Sequence, residues 1–272
     1  MRVTVHGARG SLPVSGPRTR RYGGQTPCVS VETAEGLLII DAGTGIAALS
    51  EKLAARGGAL PPITLLLTHL HLDHVVGLTA LLAFLDKRAR VAIMADTSVL
   101  AGWPSALKRL IGKPFWPVNL LESGGASVRI RPLPPASKGL RACGLQVSWC
   151  PVLHPQGCVS YRLTGEGATV VLATDREHGD AGSDRRFLEF CRGADVLVHD
   201  AQYTPEEYPA RAGWGHTTWE VAARVAAEAK VGKLVLSSHD PGRSDTEVDR
   251  IVERARGLFR RTVGAAENLA LV

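Results

Sequence analysis

The segment Ile63-Thr64-Leu65-Leu66-Leu67 opens directly onto Thr68-His69-Leu70-His71-Leu72-Asp73-His74. The aliphatic run is too short for a helix and follows Pro61-Pro62, so it reads as a fully buried strand. A buried strand whose carboxyl end carries polar residues is where open α/β sheets place their chemistry. His69 and His71 are two positions apart, so in an extended segment they point to one side. Asp73 and His74 follow as the chain turns into an apolar stretch that reads as a helix from Val75 to Leu85. Clustered imidazoles with a carboxylate suit zinc, iron or manganese. A polar loop with incidental histidines accounts poorly for such dense potential ligands.

The same pattern, an apolar strand and then a polar residue, returns along the chain. His154 follows a strand at Leu145 to Val152, and Asp175 follows Thr169 to Ala173. Asp200 follows Ala194 to Val198, and His239 follows Lys233 to Leu236. Further strands are expected at Arg2 to His6, Cys28 to Thr33, Leu37 to Ile40, Val91 to Ala95, Val128 to Arg131 and Cys158 to Leu163. Helices are expected at Ile46 to Arg56, over 97–111 with a break at Trp103-Pro104, at Asp184 to Arg192 and at Thr246 to Leu258. Another should run to Ala229, with Thr217-Thr218-Trp219-Glu220 resembling its capping box. No repeat or linker divides the chain. The expectation is one α/β domain over residues 1–272, with sheets flanked by helices and the polar strand ends along one edge.

Composition limits the function classes. With 272 residues, 45% of them hydrophobic, the chain can bury a large core. No stretch approaches the roughly 20 apolar residues of a membrane span, and Met1 to His6 has no signal-peptide core, so a soluble cytoplasmic protein is expected. Five cysteines without a Cys-x-x-Cys pair read as reduced, mostly buried thiols. The net charge of +6 suits phosphate-bearing substrates, but the basic residues are scattered and aromatics make up only 5%. Nucleic-acid binding is therefore permitted without being indicated. Lys113-Pro114-Phe115-Trp116-Pro117 could wall a pocket or a dimer contact; core packing is an equally good account.

His69, His71, Asp73 and His74 form His-x-His-x-Asp-His, and with His154, Asp175 and His239 behind it the chain resembles the metallo-β-lactamase-fold superfamily. The resemblance covers nearly the whole chain. It implies an αββα sandwich with a binuclear site of two divalent ions, zinc first and manganese or iron as alternatives. His69, His71 and His154 would hold one ion; Asp73, His74 and His239 would hold the other, with Asp175 bridging. The implied nucleophile is a metal-bridging hydroxide, and Asp73, as a ligand, would not be a free general base.

Gly213-Trp214-Gly215-His216-Thr217-Thr218 is similar to the histidine motif of the ribonuclease Z-like and cyclic-nucleotide phosphodiesterase branch. His199-Asp200-Ala201-Gln202-Tyr203 resembles its acidic partner. The resemblance places His216 beside the metals as proton donor or phosphate contact, with Asp200 orienting it. Two departures, Gln25 for a usual Asn and Gln156 where a glycine pair often follows the proline, bear on loop shape. The tRNA nucleases of this branch carry a long Gly/Pro-rich arm between the third metal histidine and the bridging aspartate. His154 and Asp175 lie too close for one, so a small phosphodiester or nucleotide is the expected substrate. Thioester or lactone hydrolysis on the same site is the alternative. A tRNA 3′-end nuclease and a non-catalytic metal sensor rank below both. The relatives imply a homodimer.

Overall fold

The computed structural model describes residues 1–55, 60–81, 89–122 and 127–272. Six strands make the first sheet: β1 (Arg2–Gly7), β2 (Cys28–Thr33), β3 (Gly36–Ile40), β4 (Ile63–Leu66), β5 (Arg90–Ala95) and β6 (Ser127–Pro132), in that spatial order. β1 to β3 pair antiparallel, and β3 to β6 pair parallel. The second sheet holds β7 (Leu140–Ala142), β8 (Leu145–Val152), β9 (Cys158–Gly165), β10 (Ala168–Ala173), β11 (Val196–Asp200), β12 (Lys233–Ser237) and β13 (Thr262–Gly264). It is antiparallel from β7 to β10 and parallel from there to β13. The short strands β7 and β13 went unread in the sequence, being three-residue edge elements with no alternation to detect.

Alternate residues of the strands decide the layers. Leu38, Ile40 and Leu66 meet Val147, Tyr161, Val170 and Val198 between the two sheets. Leu37, Ile39, Leu65 and Ile93 face the other way, beneath α1 (Ile46–Ala55), α2 (Leu72–Val75) and α3 (Trp103–Leu110). Val171, Leu197 and Leu236 lie beneath α4 (Ala181–Cys191), α5 (Trp219–Glu228) and α6 (Asp245–Arg256). This is the αββα sandwich. The carboxyl ends of β4, β8, β10, β11 and β12 carry the polar residues.

Several local expectations are corrected. The helix read from Val75 to Leu85 is instead α2 followed by a 3-10 turn at Val76–Ala80, and residues 82–85 lie outside the described residues. Gly77 explains the break: its N–H donates to the Ala42 carbonyl, and a Cβ there would lie 2.0 Å from the Gly43 oxygen. The chain is pinned at that point. α3 starts only at Trp103, because Pro104 fits the first turn of a helix and not its middle. α1 matches the expected helix over Ile46–Ala55, and Arg56 lies outside the described residues. At α5, Thr218 caps through Val221 N, while Glu220 pairs with Arg224 and closes no capping box. The reciprocal box sits at Ser244 and Glu247, at the start of α6. Among the described residues the five cysteines are free thiols, and Trp103 is core. No described helix is long and apolar enough to cross a membrane.

Candidate metal centre

β4 delivers Thr68 and His69 into the sandwich edge, and the α2 turn folds Asp73 and His74 back beneath them. Asp41, at the end of β3 and fully buried, organises this loop. Its carboxylate accepts from the Thr68 N–H and hydroxyl and from His74 Nδ1, each at 2.8 Å. Because the Thr68 hydroxyl donates to Asp41, its oxygen accepts from His69 Nδ1 at 3.0 Å. One carboxylate thus sets the tautomer of two imidazoles, leaving a lone pair on both Nε2 atoms. Both atoms are buried and have no hydrogen-bond partner among the described residues.

His154 and His71 show the same preparation. His154 Nδ1 donates to the Gly215 carbonyl at 2.7 Å, and His71 Nε2 donates to Gln156 Oε1 at 3.0 Å. The remaining nitrogens, His154 Nε2 and His71 Nδ1, face each other across 3.0 Å. Two lone pairs that close repel unless a cation lies against both. His69, His71 and His154 form one group whose ligand atoms lie within 4.8 Å of one another, and His69, His74 and Asp175 form a second. Orphaned buried acceptors and converging imidazoles fit a divalent ion. Asp73 Oδ2 is 3.4 Å from His74 Nε2 and accepts from Ser11 N at 2.9 Å, so the Gly7–Ser11 turn also reaches the centre.

Charge follows burial. Desolvation holds His69 well below the usual imidazole range and His154 at about 4, so both are neutral, as ligation requires. Burial opposes protonation of His74 as well, but Asp175, Asp73 and Asp41 surround it and raise it well above that range, so without an ion its Nε2 takes up a proton, whose place a cation among these carboxylates would take. Burial works against the Asp175 carboxylate too; His74 and His216 overcome it and keep it low.

Beside the cluster, His216 Nδ1 donates to Asp200 Oδ2 at 2.7 Å, and its Nε2 lies 3.8 Å from Asp175 Oδ2. Burial disfavours the imidazolium, but Asp200 and Asp175 outweigh it and raise His216 to about 9. His216, Asp175, Asp73 and His71 line a cleft of about 450 Å³ with Ser11, Tyr203, Arg211 and Trp214 on its walls. Trp214 is 64% exposed at its mouth.

Eight of the nine residues expected from the sequence therefore meet at one edge. His239 does not join them. Its Nε2 lies 2.9 Å from the Ala265 carbonyl, its ring packs edge-on to Tyr22, and it belongs to no convergent ligand group among the described residues. Its strand ends beside the others, but its ring is held by Ala265 and Tyr22. The sequence reading also missed Asp41 and Glu177. Glu177 accepts from the N–H groups of Gly213 and Gly215, at 2.6 and 2.8 Å, and so holds the loop that carries His216. Asp41 could have been found as an acidic residue ending a buried strand; Glu177 had no such signal.

Comparison with known proteins agrees with this geometry. A model described as a beta-lactamase superfamily domain matches residues 37–239. The chain belongs to the metallo-β-lactamase superfamily. That superfamily includes metal-dependent hydrolases, nucleases and phosphodiesterases among them. Within it the chain falls in the ribonuclease Z-like branch. Ribonuclease Z of Archaeoglobus fulgidus is 36% identical over 93 residues, a match that covers 34% of this chain and 30% of that protein. Ribonuclease Z of a Synechococcus strain is 29% identical over 252 residues, covering 75% and 77%. The solved structure of a diphosphatase from the PhnP family has a similar fold, with a TM-score of 0.73 at 19% identity over 100% of this chain and 97% of that one.

Proposed function

We propose that residues 1–272 form one hydrolase domain that cleaves a small phosphodiester or nucleotide with the help of two divalent ions. His69, His71 and His154 would hold one ion and Asp73 and His74 the other, with Asp175 between them. Bound there, divalent ions supply an acidified water and neutralise charge that builds on phosphate oxygens. The carrying observation is the buried His216–Asp200 pair, 2.7 Å apart, set against this cluster. A phosphodiester needs a proton at its leaving oxygen. His216 Nε2 faces the cleft with its Nδ1 fixed by Asp200, so it can hold that proton and release it to the departing alkoxide. Asp200 keeps the ring in the orientation that presents Nε2. Trp214, exposed on the cleft wall, offers aromatic surface on which a base can stack, and Arg211 adds positive charge.

A large RNA substrate is less well supported. β9 and β10 join through a two-residue turn, Glu166-Gly167, which leaves no arm of the kind the tRNA enzymes carry. One observation favours the acyl alternative. A groove of about 290 Å³ lined by Leu70, Leu72, Leu107, Leu110 and Phe115 shares Leu72 with the cleft and would suit an apolar chain.

The test is a panel of bis(p-nitrophenyl) phosphate, cyclic nucleotides, lactones and thioesters on protein whose metal content has been measured. Phosphodiester turnover that falls about 100-fold or more in His216→Ala, with metal content unchanged, is expected. Turnover of lactones or thioesters alone, indifferent to His216, would replace this reading with the acyl one.

A further inference from the structure

Two metal positions served by one bridging carboxylate are usually treated as a pair, yet the side chains around them here are of different chemistry. The first position has three imidazoles, His69, His71 and His154, and the Asp175 carboxylate on the same edge. The second has one imidazole, His74, whose buried Nε2 lies 3.2 Å from Asp175 Oδ1 and 3.4 Å from Asp73 Oδ2. Apart from His69, which belongs to the first position, no second imidazole converges there among the described residues. His239 is turned away, and its backbone is anchored on both sides: its N–H donates to the Ala8 carbonyl and its own carbonyl accepts from Gly10 N, both at 2.9 Å. With its Nε2 on Ala265, reorientation would leave a buried carbonyl without its partner.

Ser238 stands where an imidazole would be needed. It is fully buried, in a left-handed backbone conformation with φ of 56°. Its hydroxyl donates to the Thr174 carbonyl and lies 3.4 Å from Asp175 Oδ1. The fold therefore points a neutral oxygen, not a nitrogen, at the second position.

Building on the metal centre proposed above, we propose that the two positions are unequal: an imidazole-rich one that binds zinc tightly, and an oxygen-rich one, built from His74, Asp73, Asp175 and Ser238, that binds a harder ion such as Mn²⁺ more weakly. Softer nitrogen donors favour zinc, whereas carboxylate and hydroxyl oxygens suit manganese or magnesium. His239 is a structural histidine in this arrangement.

Metal-stripped protein titrated with Zn²⁺ by calorimetry should take up one equivalent tightly and a second at least about tenfold more weakly. Protein preloaded with one equivalent of zinc should still bind one Mn²⁺, read by electron paramagnetic resonance. His239→Gln should keep both steps, and Ser238→His should tighten the second zinc by about tenfold or more. Two zinc ions of equal affinity, exclusion of Mn²⁺ from the one-zinc protein, or loss of one equivalent in folded His239→Gln would overturn the proposal. The wild-type manganese measurement decides the matter even if both variants fail to fold. Protein that binds no metal at all would instead remove the metal centre on which the proposal rests.

Discussion

At the scale of single residues, the centre depends on side chains that never touch a substrate. Glu177 accepts from Gly213 N, Gly215 N and the Tyr208 hydroxyl at once. A glutamine there keeps the shape but turns one acceptor into a donor facing an N–H. Glu177→Gln should therefore lower phosphodiester turnover about 10- to 100-fold while circular dichroism shows an intact fold, the effect typical of removing a group that orients a ligand or catalytic histidine. His6 offers a test of stability away from the centre. It is buried, its Nε2 pairs with the Ser30 hydroxyl at 2.7 Å, and its Nδ1 has no partner among the described residues. Burial lowers its pKa from 6.5 to about 4. A lowered imidazole pKa means that the unfolded chain binds the proton first as pH falls. The contribution of neutral His6 to stability is thus complete above pH 6.5 and disappears as pH drops toward 4, about 3 kcal/mol in all. His6→Gln should flatten the acid side of a melting-temperature profile over that window. An unchanged slope would show that His6 does not titrate in this way.

Among elements, α6 is the one whose start is best defended. Ser244 and Glu247 satisfy each other's backbone N–H groups, and Asp245 and Glu247 add negative charge to its first turn. Arg254 and Arg256 place positive charge in its last turn. Ser244→Ala should cost about 1 kcal/mol, seen as a fall of a few degrees in melting temperature. Catalytic rates should not change, because the cap is not part of the metal cluster. The same helix also ties down the loop before β2: Asp245 accepts from Arg21 N and Tyr22 N, and Asp249 from the Tyr22 hydroxyl. Tyr22 in turn packs against His239. A helix end, a loop and the reoriented histidine are one packed unit.

For the whole molecule, the candidate metal centre joins the two sheets. β4 of the first sheet supplies His69, while β8, β10 and β11 of the second supply His154, Asp175 and Asp200. Ions bound across that seam stabilise only the folded arrangement, so stability must follow metal concentration. Chelation should lower the melting temperature, and zinc should restore it; at a hundredfold excess over the dissociation constant the gain is about 2.7 kcal/mol. A melting temperature indifferent to chelator and zinc would argue against a centre that spans the sheets.

Much of this was legible in the amino-acid order. Short aliphatic runs ending in His or Asp located nearly every strand that builds the edge, and the dense His69–His74 motif announced metal chemistry, because both signals are local. Helix ends were less legible where tertiary contacts override periodicity, as at Gly77, whose missing side chain lets the chain press on Gly43. Three-residue edge strands left no pattern at all. The direction of a buried side chain was beyond reach for a different reason. Position 239 follows a strand like the other candidate ligands, yet the ring is claimed by Ala265 and Tyr22, residues distant in sequence. Asp41 and Glu177 likewise acquire their roles only when distant loops close over them. Residue type and spacing determined which chemistry the chain could assemble. The packing of the two sheets decided which histidines face it, since orientation depends on partners that only the folded chain brings together.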